Sequence, residues 1–349
     1  MESAIPDHLK CPRSRTRRIA DDYVPAFPLW SARTDEQVRQ VVMAYFGVQA
    51  RDDRARGHGA FKAMIACLGG QDGPGHQDHF RYVDAEGYDN WIAAAYWLDP
   101  AVFERWNARA DVKGWWESPD RLNDGVGYFR EIMQPRMEQF ETAYSSPEHL
   151  EGVGLIMKGV SEEVQEHGYW GAMRDRIPLS QTDIMSPAGQ LDVLSGAASA
   201  GGRVRIRGHE NLTVIRSGQD WMSSQGAELG TYLDEMEPSL RAGMDFLRDE
   251  GAPVGCYCNR YVRHIDADGN PINKSFGFSY WRSLAHLERW AESHPAHLSI
   301  FITFLRVVPQ LENLHLYHEV SVFDADAQTY EYINCHPRTG LLRDAQGPG

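Results

Sequence analysis

Apolar and polar positions alternate with a period of two in residues 314–322, Leu-His-Leu-Tyr-His-Glu-Val-Ser-Val, which predicts a β-strand. On it His318 shares the apolar side with Leu314, Leu316, Val320 and Val322, while His315 and Glu319 point the other way. Just upstream the period changes. His297, Phe301, Phe304 and Val308 fall at i, i+4, i+7 and i+11, so a helix begins near Pro295, with Ser293 as its cap and His297 heading its apolar stripe. The same reading predicts strands at 40–48, 79–83, 91–95, 203–207, 212–218, 256–265 and 275–281. A helix starts at Asp99-Pro100 and carries Phe103 and Trp106; another covers 161–176; a long one covers 228–248, with Leu229, Leu233, Met236 and Leu240 on one stripe and a kink at Pro238. Asp266-Ala267-Asp268-Gly269-Asn270 resembles the start of a calcium loop but has no glutamate at its twelfth position, so it reads as a hairpin turn.

Two stretches recur. Tyr96-Trp97-Leu98-Asp99-Pro100-Ala101-Val102-Phe103-Glu104-Arg105-Trp106 aligns without a gap with Tyr280-Trp281-Arg282-Ser283-Leu284-Ala285-His286-Leu287-Glu288-Arg289-Trp290, and residues 135–140 align with 309–314. The repetition predicts an α+β chain of two ferredoxin-like units, 1–190 and 191–349, divided in the small-residue stretch 186–202. Extending these alignments sets Lys113 opposite His297, Tyr144 opposite His318 and Glu141 opposite His315, so the histidines stand outside the shared scaffold.

Composition and charge narrow the possible classes. A formal net charge of −14 over 349 residues repels nucleic acid and anionic membranes. The basic run Arg13-Ser14-Arg15-Thr16-Arg17-Arg18 is the exception, and it reads as a solvated arm or a contact with a partner chain. Without an 18-residue apolar stretch or an apolar segment behind the N-terminal charges, the chain is expected in the cytoplasm. Its five scattered cysteines do not suggest a disulfide framework; Cys256-Tyr257-Cys258 puts two thiols on one strand face but has no second pair to complete a zinc site. Aromatic residues are plentiful, with 10 Trp, 15 Tyr and 13 Phe, which suits either a large core or a flat apolar ligand.

The chemistry therefore rests on His297 and His318. Burying an imidazole without a partner costs about 1–3 kcal/mol, and for one such residue a backbone carbonyl is the ordinary solution. Two of them on consecutive elements facing one cavity suit a metal, or a haem with a second working imidazole. With no Cys-x-x-Cys-His, a haem here would be held non-covalently. Ser217, at a predicted strand end before Gly218, is either a turn serine or a hydroxyl in close reach of a ligand.

Ile215-Arg216-Ser217-Gly218-Gln219-Asp220-Trp221, His294-Pro295-Ala296-His297 and Leu316-Tyr317-His318-Glu319-Val320 resemble the aldoxime dehydratases, haem-containing lyases that convert aldoximes to nitriles. The resemblance runs over nearly the whole chain. It implies a dimeric α+β barrel fold within one chain, as in dye-decolorising peroxidases and chlorite dismutases, and a homodimer. It also implies haem b, ferrous in the active state, with His297 as proximal ligand and His318 as distal acid–base residue. Ser217 would then bond the oxime oxygen, and Arg176 and Glu141 would complete the distal polar network. The alternatives are a peroxidase or chlorite-dismutase-like enzyme, against which the missing Gly-x-x-Asp-Gly motif argues, and a non-catalytic haem protein. A zinc hydrolase using His294, His297, His315 and His318 is disfavoured because His315 and His318 point to opposite strand faces. Whether the aldoxime is aliphatic or arylaliphatic stays open.

Overall fold

The alternating segments pair into one antiparallel sheet, and the amphipathic segments cover its outer face. A computed structural model describes residues 1–168, 172–196 and 202–345. A short strand β1 (Ala32–Arg33) is followed by β2 (Val42–Ala50), α1 (Arg54–Ala66), β3 (His76–Val83), β4 (Asp89–Trp97), α2 (Pro100–Asn107), α3 (Ala110–Glu117) and β5 (Gly127–Met133). Next come β6 (Phe140–Tyr144), β7 (Gly159–Val160), α4 (Ala172–Arg176), β8 (Asp192–Ser195) and β9 (Arg203–Arg207). Then follow β10 (Leu212–Asp220), α5 (Gly226–Thr231), α6 (Glu237–Glu250), β11 (Cys256–Ile265), β12 (Pro271–Trp281), α7 (Leu284–Ser293), α8 (Pro295–Val307), β13 (His315–Phe323) and β14 (Gln328–Ile333).

Strands β1 and β7 pair with each other, and the other 12 form one sheet in the order β6-β13-β10-β12-β11-β3-β4-β2-β5-β14-β9-β8. Within it, β5-β2-β4-β3 and β13-β10-β12-β11 repeat one pattern, the fourth, first, third and second strand of each half side by side. The first sequence alignment fits this pattern, since both copies end a third strand and enter a helix, capped in the first case by Asp99 accepting from the Ala101 N–H. The second does not: Pro309 leads into β13, a fourth strand, whereas Pro135 leads into β6, which lies beside β13 at the sheet edge. Tyr144 and Glu141 are thus neighbours of the β13 residues, not their counterparts. The ladders cross residue 190, with β14 on β5 and β13 on β6.

One face of the sheet turns inward, where Tyr45, Phe129, Phe276, Phe278, Tyr280 and Tyr317 belong to a single core. The outer face of the first half packs on α1, α2 and α3, and that of the second on α4, α6 and α7. Several predictions from periodicity need correction. Within 161–176, residues 169–171 lie outside the described ones and the helix covers only Ala172–Arg176; stretch 186–202 includes β8, and its residues 197–201 are also outside. The long helix breaks into α5, a π-turn at Tyr232–Met236 and α6, which accommodates a proline with neither an N–H to donate nor room for the preceding carbonyl. A bulge separates Cys256 from Cys258, sending them to different cores, and all five cysteines are free. The turn after β11 is the predicted hairpin, with Asp266 Oδ1 accepting from the Asp268 and Asn270 N–H groups. No helix among the described residues is long and apolar enough to cross a membrane.

Candidate functional site

Register brings the distal residues together. In the β10–β13 ladder Ser217 lies directly opposite His318, and in the β13–β6 ladder His318 faces Ala143 while Val320 faces Glu141. Cross-strand partners share a sheet face, so Glu141, Ser217 and His318 all project to the helix side. β10 continues to Asp220, which makes Ser217 a mid-strand residue and not a strand end. On the inward face of these strands Arg216, Tyr317 and Glu319 are only 1%, 3% and 4% exposed, yet on the helix side Ile215, Ser217, Leu316 and His318 are accessible. These strands are closed on one face and partly open on the other. Neither Ser217 nor His318 makes a side-chain hydrogen bond among the described residues, so both polar groups are available to what enters it.

Helix α8 is a second surface that stays partly open. Although rich in Leu, Ile and Phe, it fully buries only Val307; His297, Leu298, Ile300, Phe301 and Phe304 are half-buried. Its cap is His294, whose Nδ1 accepts from the Ala296 N–H, while Ser293 ends α7 by bonding back to the Arg289 carbonyl. His297 therefore sits in the first turn of α8, beside the end of α7. Its Nδ1 lies 2.9 Å from the Ala291 carbonyl oxygen, which can only accept, so Nδ1 carries the proton and Nε2 the lone pair. Trp290 meets this ring edge to face at 4.4 Å. Burial pushes the His297 pKa down to about 4, with the His294 charge adding and the Ala291 bond opposing.

The His318 pKa is pushed down to about 3, first by burial and then by Arg176, His167 and His297, so the imidazole is neutral at rest. Arg176 is fixed by two bonds to Glu141, Nε to Oε2 at 2.7 Å and Nη2 to Oε1 at 2.9 Å, and a third to the Glu166 carbonyl at 2.8 Å. Burial pushes the Glu141 carboxyl up, and the Arg176 charge opposes the shift. Glu166 in turn accepts from the Ala4 N–H and the Ser3 hydroxyl, clipping the N-terminal arm to the back of the site. Glu166 and His167 were missed in the sequence because 161–176 reads as one helix there, whereas the structure leaves both residues in irregular chain before Ala172–Arg176. Trp290 was read only as half of a repeat. His315 faces away and stacks on His149 at 3.6 Å.

The donor set fits haem. A partly open apolar helix and a partly open sheet face suit a flat macrocycle, and an imidazole with its proton held at Nδ1 can ligate iron through Nε2. The His318 imidazole and the Ser217 hydroxyl, beside a Glu141 carboxylate already held by Arg176, make a poor cage for a bare cation. Fold and donor set together suit a protein that holds a planar cofactor.

Comparison with known proteins agrees. Residues 44–341 match the family described as haem-containing dehydratase. An aliphatic aldoxime dehydratase of Rhodococcus erythropolis is 55% identical over 348 residues, covering 99% of this chain and 98% of its own. A phenylacetaldoxime dehydratase of Bacillus sp. (strain OxB-1) is 34% identical over 334 residues, covering 93% and 94%. A crystal structure of an aldoxime dehydratase in complex with butyraldoxime superposes with a TM-score of 0.96 at 54% identity, covering 99% of this chain and 97% of that one. The chain belongs to the haem-containing dehydratases.

Proposed function

We propose that this chain dehydrates aldoximes, R–CH=N–OH, to nitriles in the slot between α8 and the β10–β13 face, using haem b held by His297. The observation that supports the reading is the register pair Ser217–His318 on a partly open sheet face, together with a histidine, His297, whose Nδ1 proton is committed to Ala291. Haem, when bound with ferrous iron, supplies a Lewis acid for the oxime nitrogen and weakens the N–O bond. Ser217 donates a hydrogen bond to the oxime oxygen and orients it toward His318. The reaction adds one proton to the departing hydroxyl and removes one from carbon, so His318 can give the first and take the second without net proton exchange. Its neutral resting state suits the base step; the acid step requires it to take up a proton in the loaded site. Arg176 and Glu141 hold each other and keep that side of the slot polar and ordered.

The aliphatic relatives at 55% identity support a small aliphatic aldoxime as substrate. We further read the two strand sets as duplicated ferredoxin-like units, 1–190 and 191–349, curved into a dimeric α+β barrel. The exposed Ile302 and Leu305 on the outside of α8 offer apolar surface to the second chain of a homodimer, and the reading includes a cytoplasmic location.

Anaerobic dithionite reduction of the haem-loaded protein, followed by butyraldoxime, tests the function. A Soret shift on oxime addition and butyronitrile formed only in the reduced state are expected. Haem binding without nitrile would make this a non-catalytic haem protein. His297→Ala should lose the haem, and a normal axial spectrum in that variant would remove His297 as ligand.

A further inference from the structure

The inward face of the same sheet carries a second polar cluster that the dehydration does not use. Asp78 on β3, His264 on β11 and Glu151 in the segment after β6 each bring one donor atom to within 4.8 Å of the other two. His264 is only 5% exposed, and its Nε2 is buried with no hydrogen-bond partner. Leaving such a group unmatched costs about 1–3 kcal/mol, and phenylalanine rings at 4.7 and 5.6 Å fix the imidazole in place. We propose that Asp78, Glu151 and His264 form a binding site for one divalent first-row metal ion.

The charges around the cluster permit this. Asp78 accepts from Arg216 through Oδ2 and meets His76 through Oδ1, and these partners hold its carboxyl well below the usual range, so it is ionised. Lys274 pairs with Glu151 but also lies 3.0 Å from Asp220, so it can release Glu151 to an ion and keep a carboxylate partner. His264 is held neutral by burial and by the Arg216 charge, which leaves an imidazole lone pair to donate. Two carboxylates and one neutral imidazole suit Mn²⁺ or Zn²⁺. Bonds of about 2.1 Å place ligand atoms roughly 3–4 Å apart, so the side chains close by less than about 1–2 Å on binding. The ion would sit where the halves meet, since β11 and β3 share only the pairs Arg263–Arg81 and His264–Phe80. It would clamp a short ladder.

The test is a Mn²⁺ titration of the metal-stripped holoenzyme, read by loss of the free-ion six-line EPR signal and followed by Zn²⁺ displacement. One bound ion per chain is expected, weakened at least tenfold in His264→Gln and in Asp78→Asn, with the Soret band unchanged. His315→Gln, which alters the neighbouring His149–His315 stack, should leave binding intact. No stoichiometric binding, or equal binding in parent and His264→Gln, overturns the site. Should Asp78→Asn fail to fold after losing its Arg216 partner, the near-isosteric His264→Gln decides alone.

Discussion

At His318 the same burial that makes the imidazole a ready base makes its acid form scarce: a pKa near 3 leaves about 10⁻⁴ of it protonated at pH 7. If the acid form is needed, kcat/KM for nitrile formation should climb as pH falls from 8 to 6, and a profile flat over that range would remove the acid step from His318. His318→Ala should keep its Soret band and lose about 10²–10⁴ in kcat. Arg176 works on His318 through its charge, so Arg176→Gln should raise the His318 pKa and move the acid limb to higher pH. The same change strands the buried Glu141, and denaturant unfolding should show a loss of about 3–5 kcal/mol.

At the scale of the element, the strand pair β10–β13 holds the site because each strand serves two faces. Ser217 and His318 look outward; Arg216, Gly218, Tyr317 and Glu319 look inward. A Cβ on Gly218 would lie 2.0 Å from the Tyr317 ring, whose hydroxyl accepts from Arg216 Nε. Gly218→Ala should therefore cost about 1–3 kcal/mol by overpacking and should shift His318 through its neighbour, lowering turnover while leaving the haem bound. An unchanged denaturation midpoint would show that Tyr317 moves aside without cost. Helix α8 shows how far period carries. Its stripe put His297 with Phe301 and Phe304, and all three are half-buried, but its cap moved from Ser293 to His294, because Ser293 satisfies the end of α7 instead.

For the whole molecule, Glu131 on β5 ties both halves together. It is fully buried, accepts two bonds from Arg260 on β11 at 2.6 and 2.7 Å, and accepts one each from Tyr280 and Tyr332 at 2.7 Å. Glu131→Gln leaves the Arg260 charge buried without its counter-ion, so a loss of about 3–5 kcal/mol is expected in chemical denaturation. Acid should act on the whole fold as well. His264, His297 and His318 have folded pKa values of about 3, 4 and 3, below the ordinary 6.5, so the unfolded chain binds more protons in between. Stability is therefore full above about pH 6.5 and falls toward pH 4, by up to about 1.4 kcal/mol per pH unit for each neutral histidine. Thermal midpoints of the haem-free protein from pH 7.5 to 5 measure this, and a midpoint that rises toward acid would contradict it.

Period and residue type alone determined most of the elements and which residues share a face with His297 on α8 and with His318 on β13, because side-chain direction follows from backbone geometry within a single helix or strand. Glu141, Arg176 and Ser217 were named by resemblance, and their local sequence carries no signal that joins them. Their meeting comes from ladder register and from a five-residue helix at the end of an irregular segment, both set by long-range pairing. The inward cluster of Asp78, Glu151 and His264 left no trace in the sequence, since its members stand 73 and 113 residues apart, by subtraction of their numbers. Only the strand order and the packing on the inward face decided which polar groups meet there.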